Sequence, residues 1–358
     1  VVPEPLEEPV RLARPEVGAE EIEAVVSVIE SGTLTMGPLL EEFELSLARA
    51  CEVGHALAVS SGTAALHLAV LALGLQPGDE VLVPAYTFPA TANVVALSGL
   101  RPVLVDVDPE TMNIDPAAAR IGPRTRAIIA VHLFGRPCRL EELPALTLIE
   151  DAAGALGARR RGRACGSLGL AGCLSFHPRK IISTGEGGAV VTDEASFAQA
   201  VSALRNHGWR SMADGDMPAP GLNYRLSEVH CALGLAPLRR LEELLQRRAA
   251  LARGYAQRLA HLPLLLPAAD EGDRHGWQAY VVQLDRRDEV LRGLRAAGIE
   301  AQIGTYALPL LGAFREQGDF PGARRAFERA LALPFHTRLS EAELDRVAET
   351  LDKVVSGS

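Results

Sequence analysis

An α/β fold around a largely parallel, buried sheet is predicted by three observations. Short apolar runs recur at His55–Ser60, Glu80–Pro84, Pro102–Asp106, Arg126–Val131, Leu146–Glu150 and Cys173–Phe176. The runs are near-continuous rather than alternating, which is the pattern of strands covered on both faces. Helical or turn-rich segments separate them, giving the connections room to cross over the sheet.

The elements follow in order. Glu20–Ser31 and Pro38–Cys51 have helical periodicity with acidic first turns. Ala189–Thr192 adds a short strand, and Leu235–His261 reads as one long Arg/Glu/Leu helix bridging to a second domain. Beyond it come a strand at Gln278–Leu284, a helix at Asp288–Ala297 and a final helix at Ser340–Val355. That last helix is capped by Ser340, with Glu343 three residues on. The division expected is a large domain over residues 1–240 and a smaller α+β domain over 241–358, with the N-terminal helix packed on the smaller one. Asp214–Gly221, crowded with Gly, Pro and Asp, is expected to be a flexible loop.

Composition narrows the function. The chain of 358 residues carries 36 basic and 45 acidic side chains, a net charge of −9, which argues against broad nucleic-acid binding. The most apolar stretch, Ala56–Leu75, is broken by Ser60, Ser61, Gly62, Thr63 and His67, so no membrane span is expected. The N-terminus, with Glu4, Glu7 and Glu8, does not read as a secretory signal, and a soluble, cytoplasmic protein is expected. Five scattered cysteines without C-x-x-C spacing read as buried thiols of a reducing compartment, not as a metal site. Lys180 and Lys353 are the two lysines among the 36 basic residues. A lysine kept in an arginine chain suggests amine chemistry, which arginine cannot perform.

Four segments carry candidate chemistry. Ser61-Gly62-Thr63 lies between a strand and a helix, where free N–H groups and the Thr63 hydroxyl can cradle an anion, although such turns are usually plain helix caps. It matches neither the dinucleotide fingerprint nor the Walker loop. Asp151 ends an apolar strand, where a carboxylate can pair with a protonated ring nitrogen or equally cap a helix. Lys180 follows Pro178 on a turn before Gly185-Glu186-Gly187-Gly188, a placement suited to a Schiff-base lysine, and Ser175 lies five residues earlier. Asn223 and Arg225 stand before a helical run and suit phosphate or carboxylate ligands, or else belong to a capped helix start with Ser227 and Glu228. His132 reads more readily as a satisfied core histidine than as a pocket wall. Arg159, Arg160, Arg161 and Arg163 read as a solvated hairpin tip.

Taken together, these segments resemble the pyridoxal-phosphate-dependent sugar-nucleotide aminotransferases of the DegT family. The likeness begins at Ser31–Pro38 and runs through Ser60–Leu66, Val83–Phe88, Val105–Asp108, Val131–Gly135, Glu150–Ala153, Ser175–Lys180, Gly185–Gly188 and Arg205–Gly208. It implies the fold type I of pyridoxal-phosphate-dependent transferases, a homodimer, and transfer of an amino group from an amino acid, glutamate, to a keto-sugar nucleotide. It further implies that Lys180 forms the Schiff base and Asp151 pairs with the pyridinium nitrogen. Gly62, Thr63 and Ser175 would hold the phosphate, with Asn223 reaching it from the neighbouring subunit. Phe88 would stack on the ring, and Arg225 and Tyr306 would meet the substrate. Relatives of the DegT type often carry Gln and His where Gly154 and Leu156 stand, and His where Pro309 stands. An aminocyclitol or small-ketone aminotransferase, a lyase on the same fold, and a non-catalytic regulator are the competing readings.

Overall fold

The computed structural model describes residues 8–213, 215–315 and 317–357. Its central sheet contains β1 (His55–Val59), β2 (Glu80–Pro84), β4 (Arg101–Val105), β5 (Thr125–Val131), β6 (Thr147–Asp151), β9 (Ala171–Ser175) and β10 (Gly188–Thr192). Their spatial order is β1-β10-β9-β6-β5-β2-β4. All neighbours are parallel except those of β10, which runs antiparallel to β1 and β9. Six strands therefore end at one edge, and β10 starts there. A smaller antiparallel sheet has the order β11 (Tyr280–Gln283), β14 (Ala330–Leu333), β12 (Gln302–Ile303). Two short ladders complete the strands: β3 (Tyr86–Thr87) with β13 (Tyr306–Ala307), and β7 (Arg159–Arg160) with β8 (Arg163–Ala164).

Strand alternation sends successive side chains into two different cores. Leu57 and Val59 join Cys173 and Val190 on one face, under α3 (Gly62–Ala72), α4 (Ala90–Leu97) and α5 (Ala195–Arg205). Ala56, Ala58, Leu174 and Val191 face the other way, against α2 (Pro38–Cys51) and α6 (Glu228–Arg239). The small sheet buries its own core with α7 (Leu241–Leu259), α8 (Arg287–Ala296) and α10 (Glu341–Ser356), while α9 (Pro321–Arg329) leads into β14. Val10 belongs to that core and bridges to Ile299, whereas the N-terminal helix α1 (Ala19–Ser31) packs on α6. The contact expected of the N-terminal helix is thus made by the segment before it.

The sheet strands stand where the apolar runs predict them, and α10 starts with Ser340 and Glu343 in a reciprocal capping box. The long helix expected over Leu235–His261 is instead two helices meeting at Arg240. Helix α6 runs on through Pro237, and the backbone leaves helical angles three residues later, at Arg240 (φ −97°, ψ 14°). The arginine hairpin also differs from expectation, because Arg160 is buried among Glu141, Asp270 and Asp273 rather than solvated. In the segment expected to be a flexible loop, 215–221 contains no helix and only a lone bridge from Asp216 to Ser211; Asp214, like Glu4 and Glu7, lies outside the described residues. Among the described residues no helix is long and apolar enough to cross a membrane. The five cysteines are buried and free.

One buried carboxylate ties the helices of a face together. Glu228, in the first turn of α6, accepts the Leu39 and Leu40 N–H groups at 2.9 Å each, so it caps α2 behind Pro38. Glu228→Ala leaves those donors buried and bare, and should lower stability by about 2–4 kcal/mol. Urea unfolding checks this; an unchanged midpoint would show that the cap is dispensable.

Candidate active site

The edge where six strands end is where open α/β sheets place ligands. Ser61 leaves β1 in extended geometry and caps α3, its Oγ accepting the Ala64 N–H at 3.0 Å. The N–H groups of Gly62 and Thr63 precede the first intrahelical bonds and point out of the helix end. Space here is tight. A Cβ on Gly62 would lie 2.7 Å from Ser175 Cβ, and one on Gly188 would lie 2.5 Å from the Ser61 carbonyl oxygen. Only glycines let α3, β9 and β10 meet so closely, and the meeting puts the Ser175 and Thr63 hydroxyls beside the helix N-terminus in one cleft. A concavity of free N–H donors and two hydroxyls at a positive helix end fits a phosphate group.

Asp151 closes β6 at the same edge and is 5% exposed. Thr91 donates its hydroxyl to Oδ2 at 2.8 Å, and the Ala153 N–H donates to Oδ1 at 3.2 Å. Burial raises the carboxyl above its usual range, against the pull of those hydrogen bonds and of the Lys180 charge. Lys180 sits on the turn after β9, its N–H bonded to the His177 carbonyl at 2.8 Å. Burial lowers its amine below the usual lysine range, outweighing Asp151, and the nearby Arg179 charge lowers it further. An amine so placed is more nucleophilic at neutral pH.

Beneath Asp151 lies a fixed layer. Glu150 accepts the N–H groups of Gly166, Leu168 and Gly169 and the His132 ring at 2.8 Å. His132 Nδ1 accepts the Cys138 N–H at 2.9 Å, so the proton on this ring is at Nε2. His132 is a satisfied core histidine, and it also lines the cleft.

The cleft holds about 610 Å³ and is lined by Gly62, Thr63, Phe88, Asp151, Ser175 and Lys180 among others. Phe88, 62% exposed, meets the Tyr306 ring edge-on at 6.3 Å at the rim. Asn223 and Arg225 are not brought into it. Asn223 is exposed and pairs with Asn206 through the backbone, and Arg225 donates to Asn206 Oδ1 at 2.6 Å. Gly154 lies in the cleft wall, Leu156 in the core and Pro309 in a short turn after β13. Sequence reasoning missed Thr91, His177, Arg179, Gln278 and Gln302, all but Thr91 lining the cleft. Thr91 stands three residues after Phe88, a one-turn spacing that could have flagged it; the two glutamines carry no local signal.

The model of the DegT/DnrJ/EryC1/StrS aminotransferase family matches residues 15–352. A GDP-perosamine synthase of Caulobacter vibrioides is 38% identical, over 97% of this chain and 98% of that protein. Aminotransferase TlmJ from Streptoalloteichus hindustanus superposes with a TM-score of 0.94 at 33% identity, covering 98% of this chain and 99% of TlmJ. DesI, solved in the presence of its TDP-sugar product, gives a TM-score of 0.91 at 35% identity, over 98% and 94% of the two chains. Fold type I, with its mostly parallel sheet of seven strands, is the architecture shared with these sugar aminotransferases. Sequence, fold and cleft agree: this chain is an enzyme, an aminotransferase of the DegT/DnrJ/EryC1/StrS family.

Proposed function

We propose that the cleft binds pyridoxal 5′-phosphate and moves an amino group from an amino acid, glutamate, to a keto-sugar nucleotide. The observation that carries this reading is the joint placement of Lys180, Asp151 and the α3 N-terminus in one cleft. The products are a 2-oxo acid and an amino-sugar nucleotide. Support for the sugar comes from the relatives, one named for GDP-perosamine and one solved with a TDP-sugar. The division near residue 240, into a cofactor-binding unit and a smaller one, is part of the same proposal.

In this reading Gly62 and Thr63 bind the phosphate through their N–H groups, aided by the Thr63 and Ser175 hydroxyls. Phe88 covers the ring, and Asp151 holds a proton at the ring nitrogen, since an opposite charge stabilises the protonated form. When bound, the cofactor supplies an aldehyde for an amine and a conjugated ring that accepts electrons. Lys180 Nζ would take the proton from the donor's α-carbon and deliver one to the sugar carbon that receives nitrogen. Tyr306, beside Phe88, contacts the substrate, whereas Arg225, bonded to Asn206 outside the cleft lining, does not. Asn223, exposed and away from its own cleft, reaches the phosphate of a second copy in a homodimer.

Lys180→Ala should remain folded, give no visible absorbance with pyridoxal phosphate, and lose about three orders of magnitude in transamination. A folded variant turning over at the wild-type rate would end the assignment. A panel of GDP- and TDP-linked keto sugars with glutamate tests the substrate class. Acceptance of aminocyclitol precursors alone would favour the competing reading.

A buried carboxyl whose pKa is raised favours folding in its protonated form. That advantage is complete below the ordinary carboxyl range and is lost as pH rises through the folded value. Asp151→Asn keeps both hydrogen bonds, with the amide donating to Thr91, and removes the charge. The cofactor-free variant should therefore melt higher than cofactor-free wild type at pH 7 and at the same temperature near pH 3; supplied with pyridoxal phosphate, it should transaminate poorly. Equal melting at both pH values would contradict it.

The shared site is tested by mixing. Inactive Lys180→Ala and inactive Asn223→Asp chains should regain activity together, because one site of each mixed dimer draws both wild-type residues. Confirmed subunit exchange without recovered activity would exclude a shared site.

A further inference from the structure

Two glutamines outside the central sheet grip the residue next to Lys180. Gln278, just before β11, donates from Nε2 to the Arg179 carbonyl oxygen at 2.9 Å. At the other end of that same peptide, the Lys180 N–H donates to the His177 carbonyl at 2.8 Å. A peptide unit is planar, so holding both of its ends fixes the direction in which Lys180 leaves the chain. Gln302, on β12, accepts from Arg179 Nη1 at 2.7 Å and holds that side chain as well.

Gln278 is itself aimed by unusual backbone. Trp277, immediately before it, has φ +51°, a region bulky residues rarely enter. Its neighbours over-determine that conformation: the Trp277 ring stacks on His275 at 4.0 Å, and Trp277 N–H donates to His275 Nδ1 at 2.8 Å. Buried Arg248 donates to the Trp277 and Gln278 carbonyls, and Gln278 N–H donates to the Phe134 carbonyl at 3.0 Å. The turn after Asp151 leaves room for the amide. A Cβ on Gly154 would lie 3.3 Å from Gln278 Oε1, so the glutamine covers the face that Gly154 leaves bare. Strained backbone held in place by several partners is found where a side chain has a task.

The geometry points to Gln278 as a positioning residue for Lys180: its amide orients the Arg179–Lys180 peptide so that the amine faces Asp151 across the cleft. This rests on the functional reading above, in which Lys180 bonds covalently to the cofactor. The carboxamide does no chemistry. Its contribution is to restrict where Nζ can be when a carbonyl arrives.

The test separates binding from capture. Gln278→Met keeps the side chain's length and removes its donor. Pyridoxal phosphate is added to cofactor-free protein, and the visible absorbance of the lysine bond is followed by stopped flow. Pyridoxine 5′-phosphate, which has no aldehyde, is titrated by calorimetry to report non-covalent binding of phosphate and ring without the lysine bond. In Gln278→Met, capture should slow about tenfold, the scale of one lost hydrogen bond, with pyridoxine phosphate affinity within about twofold of wild type. Should the methionine variant not fold, Gln278→Glu, which also lacks the donor when ionised, serves for the same pair of measurements. Unchanged capture, or capture and affinity falling together, overturns the positioning role. A wild type that shows no covalent capture defeats the functional reading first. A wild type that captures, matched by the variant, defeats this inference alone.

Discussion

The contact among Gly62, Ser175 and Gly188 sets the geometry on which the rest of the site depends. Because β10 runs against β9 and β1, its first residue lies where they end, and α3 starts in the same place. Side chains at Gly62 and Gly188 would force these backbones apart. With them absent, a helix N-terminus and two hydroxyls share a volume that could otherwise hold only one of them. The cleft floor at Asp151 and the lysine turn after β9 then lie within reach of the same ligand, since both leave neighbouring parallel strands.

Glu150 and Asp151 illustrate how one strand can build both a support and a site. Adjacent residues on a strand point to opposite faces, so the two carboxylates meet different surroundings. Glu150 is surrounded by three backbone N–H groups and the His132 ring, which satisfy both of its oxygens. Asp151 has one hydroxyl and one N–H, and burial leaves its charged form under-compensated. The first is committed to fixing the loop after β8. The second has capacity left for a cationic group arriving in the cleft.

Much of this was legible in the chain. The sheet strands were found from apolar runs, because strands buried on both faces leave that mark regardless of context. Residue chemistry marks Asp151, Lys180, Gly62, Thr63 and Ser175 as candidates, the family likeness alone adds Phe88, and all six line one cleft. Strand β14 was not legible: Ala330-Leu331-Ala332-Leu333 is made of helix-favouring residues, and only pairing with β11 and β12 makes it a strand. The break at Arg240 is hidden within a strong helical pattern. Gln278 and Gln302 reach the lysine turn from about a hundred residues downstream (|i−j| 99 and 123), and no local rule reports such a contact. Asn223 and Arg225, marked in the sequence as anion ligands, do not line the cleft: both pair with Asn206 instead.

Because Lys180 and Lys353 are the two lysines of the chain, one experiment can test the central claim with little ambiguity. The protein is incubated with pyridoxal phosphate, reduced with borohydride, digested, and the added phosphopyridoxyl mass is mapped by tandem mass spectrometry. Label should be stoichiometric on the peptide containing Lys180 and no higher than background on the one containing Lys353. Label on Lys353, or an unlabelled Lys180 in folded protein, would contradict it.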